Sequence, residues 1–566
     1  MDEQYDVVII GAGHNGLVAA AYLLKAGYSV LLLERHATPG GACTTDELMP
    51  DEAPGFRFSP CAIDHLFVFL GPVVEELELE KYGLKYLYCD PVVYCPHPDG
   101  RDFLAHRSVE KTCAEIARVS ERDARFYREF IDYWQRVMGV FIPLFNAPPK
   151  NLLDIAGNFD FAKLKDLASV VGPPNKTLDF ARNLLTSPRE IIEEYFDSEV
   201  VRAPLARLAG ELSTPPSQKG QAFGAVMMAM RHEPGMARPK GGSGAFTEAL
   251  LNLVHALGGV VRCSEPVAEV LVDDGRAVGV RTDGGRTVAA RYGVISNIDA
   301  RKLFGQLVDP AATDAADPDL RERLTRKLIN SNETILKIDC ALAEAPRFER
   351  WGRGAEVLSG SLLIADSVNH VEEAHNACIV GRIPDDDPSM YIAVPSVLDP
   401  SLAPEGKHTL WIEFFAPYKI AGAEGSGLSG TGWTDALKNK VADRVIDKLA
   451  EYAPNLKRAI IARRVESPAE LAVRLGTHKG NYYHYDMTID YLMFFRPLPE
   501  LANYKTPIDG LYLTGAGTHP GGSVSGMPGR NTARVFLHDR EPLKQTALEA
   551  GRSLGATLGS LYDQLR

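Results

Sequence analysis

Two glycine-rich segments at opposite ends of the chain constrain its fold more than any other feature. Tyr5 to Arg35 reads YDVVIIGAGHNGLVAAAYLLKAGYSVLLLER, and Leu511 to Phe536 reads LYLTGAGTHPGGSVSGMPGRNTARVF. So many glycines inside apolar sequence are tolerated only where backbone must approach something closely. The two ends therefore read as two halves of one cofactor site.

The first segment reads as strand, turn, helix, strand. Asp6 to Ile10 is a short β-branched run, Gly11, Gly13 and Gly16 form a GxGxxG turn, Leu17 to Lys25 has helical composition, and Val30 to Leu33 is a second apolar run closed by Glu34. Gly11 permits the tight turn, Gly13 lets backbone approach a pyrophosphate, and Gly16 lets helix and strand pack closely. The free N–H groups and dipole of the helix N-terminus favour the phosphates, while the Glu34 carboxylate accepts from ribose hydroxyls. This is a dinucleotide site. Arg35, Pro39, Gly40 and Gly41 follow as an RxxxPGG element. It resembles the double-glycine motif of flavin-dependent amine oxidases and phytoene desaturases, which implies FAD, with Arg35, Gly40 and Gly41 lying along it. Many relatives carry Arg after the double glycine; here it is Ala42.

At 566 residues the chain is long enough for two to four lobes. Its net charge is 61 − 74 = −13, with no long basic run, which disfavours nucleic acid and electrostatic docking on anionic lipid. The eight cysteines are scattered without a CxxC pair and read as reduced thiols. The first strand starts almost at Met1 and no apolar run is long enough to span a bilayer, so the expected location is the cytoplasm, with peripheral membrane contact at most.

The pattern along the chain implies a discontinuous α/β, Rossmann-type FAD-binding domain with an α+β substrate lobe. Its expected parts are residues 1–105, 238–300 and 501–540, interrupted by a helical lobe at 106–237 and a substrate domain at 301–500, with a tail at 541–566. A helix from Gly244 to Leu257 leads into short strands with turns at Asp274–Gly275 and Gly284–Gly285. In two-domain flavin folds the first strand of this meander reads the adenine, which assigns Val267. After the strand-like Gly510 to Leu513, a helix starting at Met527 or Gly529 would aim its N-terminus at the flavin's pyrimidine edge. Gly515, Gly517, Thr518, Gly526 and Met527 complete the expected cofactor set; Thr518 or main chain replaces the acid that many flavoproteins carry there.

GAGTHPGGSVSGMPGRN, GAGHNGLVAAAYLL with PGGACTTDELMP, CAIDH, RPKGGSGAFTEAL, and WIEFFAPYKIAG with GTGWTD together resemble the phytoene-desaturase-related, FAD-dependent β-carotene ketolases of the CrtO type, from about residue 5 to about residue 537. The resemblance implies oxidation of an allylic CH₂, carbon 4 of a β-ionone ring, to give echinenone or canthaxanthin. A carotenoid desaturase or cis–trans isomerase on the same scaffold, and a carotenoid-binding protein with structural FAD, are the alternatives. No metal site is expected, because the fourteen histidines are dispersed and His370 and His375, five apart, do not share a helix face.

His232 and His519 are the candidate catalytic groups, each weighed against a structural role. Met227, Met228 and Met230 with Phe223 are candidates for a polyene channel, against core packing. Phe130, Tyr133, Trp134, Val137, Met138, Phe141, Ile142 and Phe145 recur at three and four spacing. This stripe is read either as a hydrophobic patch through which a C40 substrate leaves the membrane, or as a helix packed on the lobe core.

Overall fold

The computed structural model describes residues 3–149, 168–172 and 174–541; the expected tail beyond Glu541 and part of the helical lobe lie outside the described residues. The chain threads one sheet three times. β1 (Glu3–Ile10) lies parallel to β2 (Val30–Leu33) on one side and to Thr287–Ser296 on the other, with Val260–Arg262 beyond β2. The start of Thr287–Ser296 pairs antiparallel with Arg276–Thr282, and its end pairs parallel with Leu511–Leu513, so the last passage completes the sheet. Right after β1 comes α1 (His14–Lys25), whose Leu17, Val18, Ala19, Ala20 and Ala21 are wholly buried. One flank of α1 meets the helix Met527–Arg540, where a Cβ on Gly529 would stand 2.2 Å from the Asn15 carbonyl oxygen. That close approach holds the two helices together at their first turns.

The second sheet runs Ile460–Glu466, Glu333–Leu342, His408–Pro417, Met390–Ala393, Ser361–Ile364, Val93–Pro96, Asp102–Ala105. The last two strands correct the boundary expected at residue 105, since they pair in the second sheet and not in the cofactor sheet. Strand alternation divides its residues into two sets. Leu336, Ile338, Leu410, Ile412 and Phe414 pack with Val441, Val445 and Leu449 of the helix Asp435–Tyr452. The opposite face carries Ile335, Lys337, Asp339, Trp411, Glu413 and Phe415.

The aromatic stripe lies on the helix Glu121–Phe145, capped by the Ser120 side chain accepting from the Asp123 N–H. Phe130, Trp134, Val137, Met138 and Phe145 are all at most 5 % exposed. Its rings meet Tyr195, Phe196 and Phe223 of the same lobe. The expectation of a membrane patch on this stripe is therefore corrected: the three–four spacing records a core-facing helix. Among the described residues no helix is long and apolar enough to cross a membrane.

Candidate active site

The glycine turn after β1 forms as its sequence requires. Gly11, at φ +91°, donates to the Leu33 carbonyl, and a Cβ on Gly16 would stand 2.3 Å from the Gly11 carbonyl oxygen, a distance no side chain tolerates. The double glycine comes back against this turn: Gly40 donates to the Ala12 carbonyl, and a Cβ on Gly41 would lie 3.3 Å from Gly13 Cα. Glu34, 6 % exposed, accepts from the Ala12 N–H (2.8 Å) and the His36 N–H (2.9 Å), which fixes its carboxylate beside the turn. The segment entering Val267 is tied to the same place, Glu265 N–H donating to Glu34 O and Ser264 N–H to His36 O. Arg35 turns away, its guanidinium donating to the Val473 and Arg474 carbonyls at the end of the helix Pro468–Leu475.

Asn297 joins the two ends of the chain. Its amide donates to the Gly11 carbonyl (3.3 Å), while a Cβ on Gly515, itself at φ +93°, would stand 2.6 Å from Asn297 Oδ1. Gly517 abuts His484 and Tyr485, and Thr518 spends its hydroxyl on the Gly515 carbonyl at 2.9 Å. Arg496, wholly buried, gathers the carbonyls of Asp486, Tyr491 and Ala516 and so shapes this loop from within. Neither Asn297 nor Arg496 was singled out from sequence, because each acts through partners far away in the chain.

The helices α1 and Met527–Arg540 begin at Gly13 and at Gly526, the latter at φ +71°, and neither has a side-chain cap. Apart from the Met527 N–H, which donates to the Ser525 hydroxyl at 3.2 Å, their first N–H groups are thus left for an anion. Facing glycines, an anchored ribose-binding acid and two uncapped N-termini are what an adenine dinucleotide needs, and these residues fit it.

From this cradle a cavity extends to the second sheet. His14, Ala42, Ala516, Ser523 and Val524 line its cradle end, with Trp411, Glu413 and Tyr391 on the far wall. Burial holds His14 down at about 4, so it is neutral near pH 7. A smaller, apolar cavity shares Phe67 and Ser523 with the first and is lined also by Phe145, Phe223 and Met527. Of the candidate channel residues, Met227 lines the large cavity and Phe223 the small one, while Met228 and Met230 are core.

The far wall is more polar than the sequence suggested. Asp64 and Arg238 form an ion pair at 2.7 Å with side chains 4 % and 3 % exposed, and Arg238 also donates to the Ser359 and Gly360 carbonyls. Despite its burial, Asp64 is held below the ordinary carboxylate range by Arg238. Arg231 donates to the Met227 carbonyl and the Tyr391 hydroxyl.

The two candidate histidines stand elsewhere. His232 bonds the Tyr127 hydroxyl (2.8 Å) and the Arg107 carbonyl (3.0 Å), and His519 bonds the Leu144 carbonyl (2.9 Å); neither lines the cavity. Both are buried and shifted toward the neutral form by desolvation. Asp366, His370 and Asp387 group their side chains within 4.8 Å, but His370 spends both ring nitrogens on backbone, and Lys448 pairs with both acids. His375 bonds Glu333.

Comparison with known proteins agrees with this geometry. Residues 9–67 match the NAD(P)-binding Rossmann-like domain, and residues 174–529, more than half of the chain, match the flavin containing amine oxidoreductase family. The chain is 31 % identical to pyridine nucleotide-disulfide oxidoreductase domain-containing protein 2 of Mus musculus, over 95 % of this chain and 94 % of that one. It is 27 % identical to a limonene dehydrogenase component of Castellaniella defragrans, over 95 % of each. It is 26 % identical to the lycopene-forming phytoene desaturase of Pantoea ananas, over 94 % of this chain and 99 % of that one. With the turn, the anchored acid and the uncapped helices all in place, the chain belongs to the flavin containing amine oxidoreductases, and its cofactor is FAD.

Proposed function

We propose that the protein oxidises an isoprenoid at an allylic carbon, and that the reaction is the 4-oxidation of β-carotene to echinenone and canthaxanthin. The observation that carries this reading is one continuous cavity from the cofactor cradle to the second sheet, bordered by a second apolar cavity. Bound FAD would accept a hydride in each of two oxidations, with an external acceptor reoxidising it between them: the first leaves an allylic cation that water captures as the alcohol, and the second takes the alcohol to the ketone. Gly13, Gly41, Glu34 and the two helix N-termini hold the dinucleotide, with Val267 at the adenine. Asn297 keeps the two glycine loops in register. Ile63, Leu66, Phe67 and Met227 offer an apolar bed for a hydrocarbon ring and exclude water from it. The names of two relatives, a limonene dehydrogenase and a phytoene desaturase, support an isoprenoid substrate.

Access from a bilayer surface belongs to this reading. Leu178 and Leu185, 71 % and 66 % exposed on the helix Pro174–Leu185, support a hydrophobic contact there in place of the buried stripe.

Desaturation or isomerisation of a carotenoid is the second reading, which the phytoene desaturase and prolycopene isomerase relatives favour. The test is chromatography with mass detection after FAD-loaded protein is incubated with β-carotene in liposomes. Products carrying one or two added ketone groups are expected. Unchanged β-carotene together with conversion of phytoene or poly-cis lycopene would replace the first reading by the second.

A further inference from the structure

The chamber face of the second sheet carries a row of buried polar side chains that a hydrocarbon does not require. Glu466, Lys337, Glu413 and Tyr391 are successive cross-strand partners on four adjacent strands. Charges so placed need partners. Glu466 pairs with Arg474 at 2.6 Å, Asp339 takes Lys337, Glu211 takes Arg207, and Asp64 takes Arg238. Glu413 is the exception. It is 5 % exposed, lines the cavity, and its Oε1 has no hydrogen-bond partner.

We infer that Glu413 is a binding and proton-accepting site for a hydroxyl group on the substrate, so that the chamber takes an allylic alcohol in preference to the bare hydrocarbon. This rests on the allylic-oxidation reading and narrows its substrate class. A ligand hydroxyl in the cavity donates to the Glu413 carboxylate, giving it a partner without bringing charge. An ammonium group is a poorer match, because the other acids are already paired and Arg207 and Lys337 already oppose the Glu413 charge. In the reaction the hydroxyl proton goes to the Glu413 carboxylate, the carbon-bound hydrogen leaves as hydride with its two electrons to oxidised FAD, and the C–O bond becomes C=O. That is the second half of a CH₂-to-ketone oxidation.

The groups facing Glu413 set its proton affinity. Burial raises it most, and Glu211 and Glu333 add to that, while Arg207 and Lys337 oppose them, leaving Glu413 pushed up to about 8. Tyr391, Tyr482 and Tyr483 share the cavity lining and are themselves pushed up by burial, so they stay neutral. Flavin reduction by an alcohol should therefore rise with pH and level off above about 8.

The test uses the FAD-loaded protein under anaerobic conditions, with geraniol as the alcohol and myrcene as the hydrocarbon. Binding is read from the perturbed flavin absorbance and reduction from its bleaching. Geraniol should bind at least about tenfold more tightly than myrcene, a preference that Glu413→Leu abolishes. Glu413→Gln should keep part of the preference, since its amide oxygen still accepts, but lose the pH-dependent limb of reduction; Glu413→Asp should restore that limb in part. Bound flavin in each variant verifies its fold. Equal affinity for both probes in the unmodified protein, or an undiminished preference in Glu413→Leu, overturns the inference. Should geraniol be preferred through Glu413 while flavin stays oxidised with both probes, the proton-accepting step and the allylic-oxidation reading fail together and only the hydroxyl-binding site stands.

Discussion

Lys337 and Glu413 are direct cross-strand partners, yet the Lys337 ammonium turns along its own strand to Asp339 and lies 4.3 Å from the Trp411 ring centre, so it makes no ion pair with Glu413. The folded protein therefore favours the protonated form of Glu413. Between the ordinary carboxylate range and about pH 8 the folded state holds a proton that the unfolded chain has released. Stability must fall as pH rises through that window, by up to about 1.4 kcal/mol per pH unit from this group. Glu413→Gln should flatten that part of the profile in urea unfolding.

Gly16→Ala should abolish FAD binding. Its Cβ would stand 2.3 Å from the Gly11 carbonyl oxygen and 3.0 Å from Asn297 Nδ2, so the turn would have to open. The expected result is purified protein without flavin absorbance and a loss of about 1–3 kcal/mol in unfolding free energy.

His232→Gln should leave the rate of anaerobic flavin reduction unchanged within about twofold, while losing about 1–2 kcal/mol of stability with the bonds to Tyr127 and Arg107. A large fall in reduction rate with undiminished stability would return His232 to the chemistry.

Two substitutions separate the buried stripe from the exposed leucines. Trp134→Ala, in the lobe core, should cost about 3–5 kcal/mol in thermal unfolding. Leu178→Glu with Leu185→Glu should leave stability within about 0.5 kcal/mol and weaken cosedimentation with liposomes.

Where chemistry is local, the sequence was legible. The expected strand, turn and helix of residues 6–33 coincide with β1, α1 and β2 to within a few residues, and of the two starts expected for the last helix, Met527 and Gly529, it takes Met527. Glycines in tight turns and apolar periods depend on near neighbours, so they can be read one segment at a time. The chamber wall was not legible in this way. Within His408–Pro417, Glu413 matters because Glu333–Leu342 and Met390–Ala393 bury it from both sides. The same holds for Asp64 and Arg238, which find each other across 174 residues of chain. The period of Phe130 to Phe145 fixed a helix with one apolar face, but only packing decides whether that face meets lipid or protein.

The three passages through the first sheet also bear on how the protein is made. Leu511–Leu513 and the helix Met527–Arg540 are made long after Thr287–Ser296, and until they dock, Val294 to Ser296 present a bare, apolar edge and the cradle lacks one of its two walls. Flavin can be captured only after Met527–Arg540 has emerged. The nascent protein thus passes through a long cofactor-free stage in which chaperones, and not FAD, must shelter the unfinished sheet.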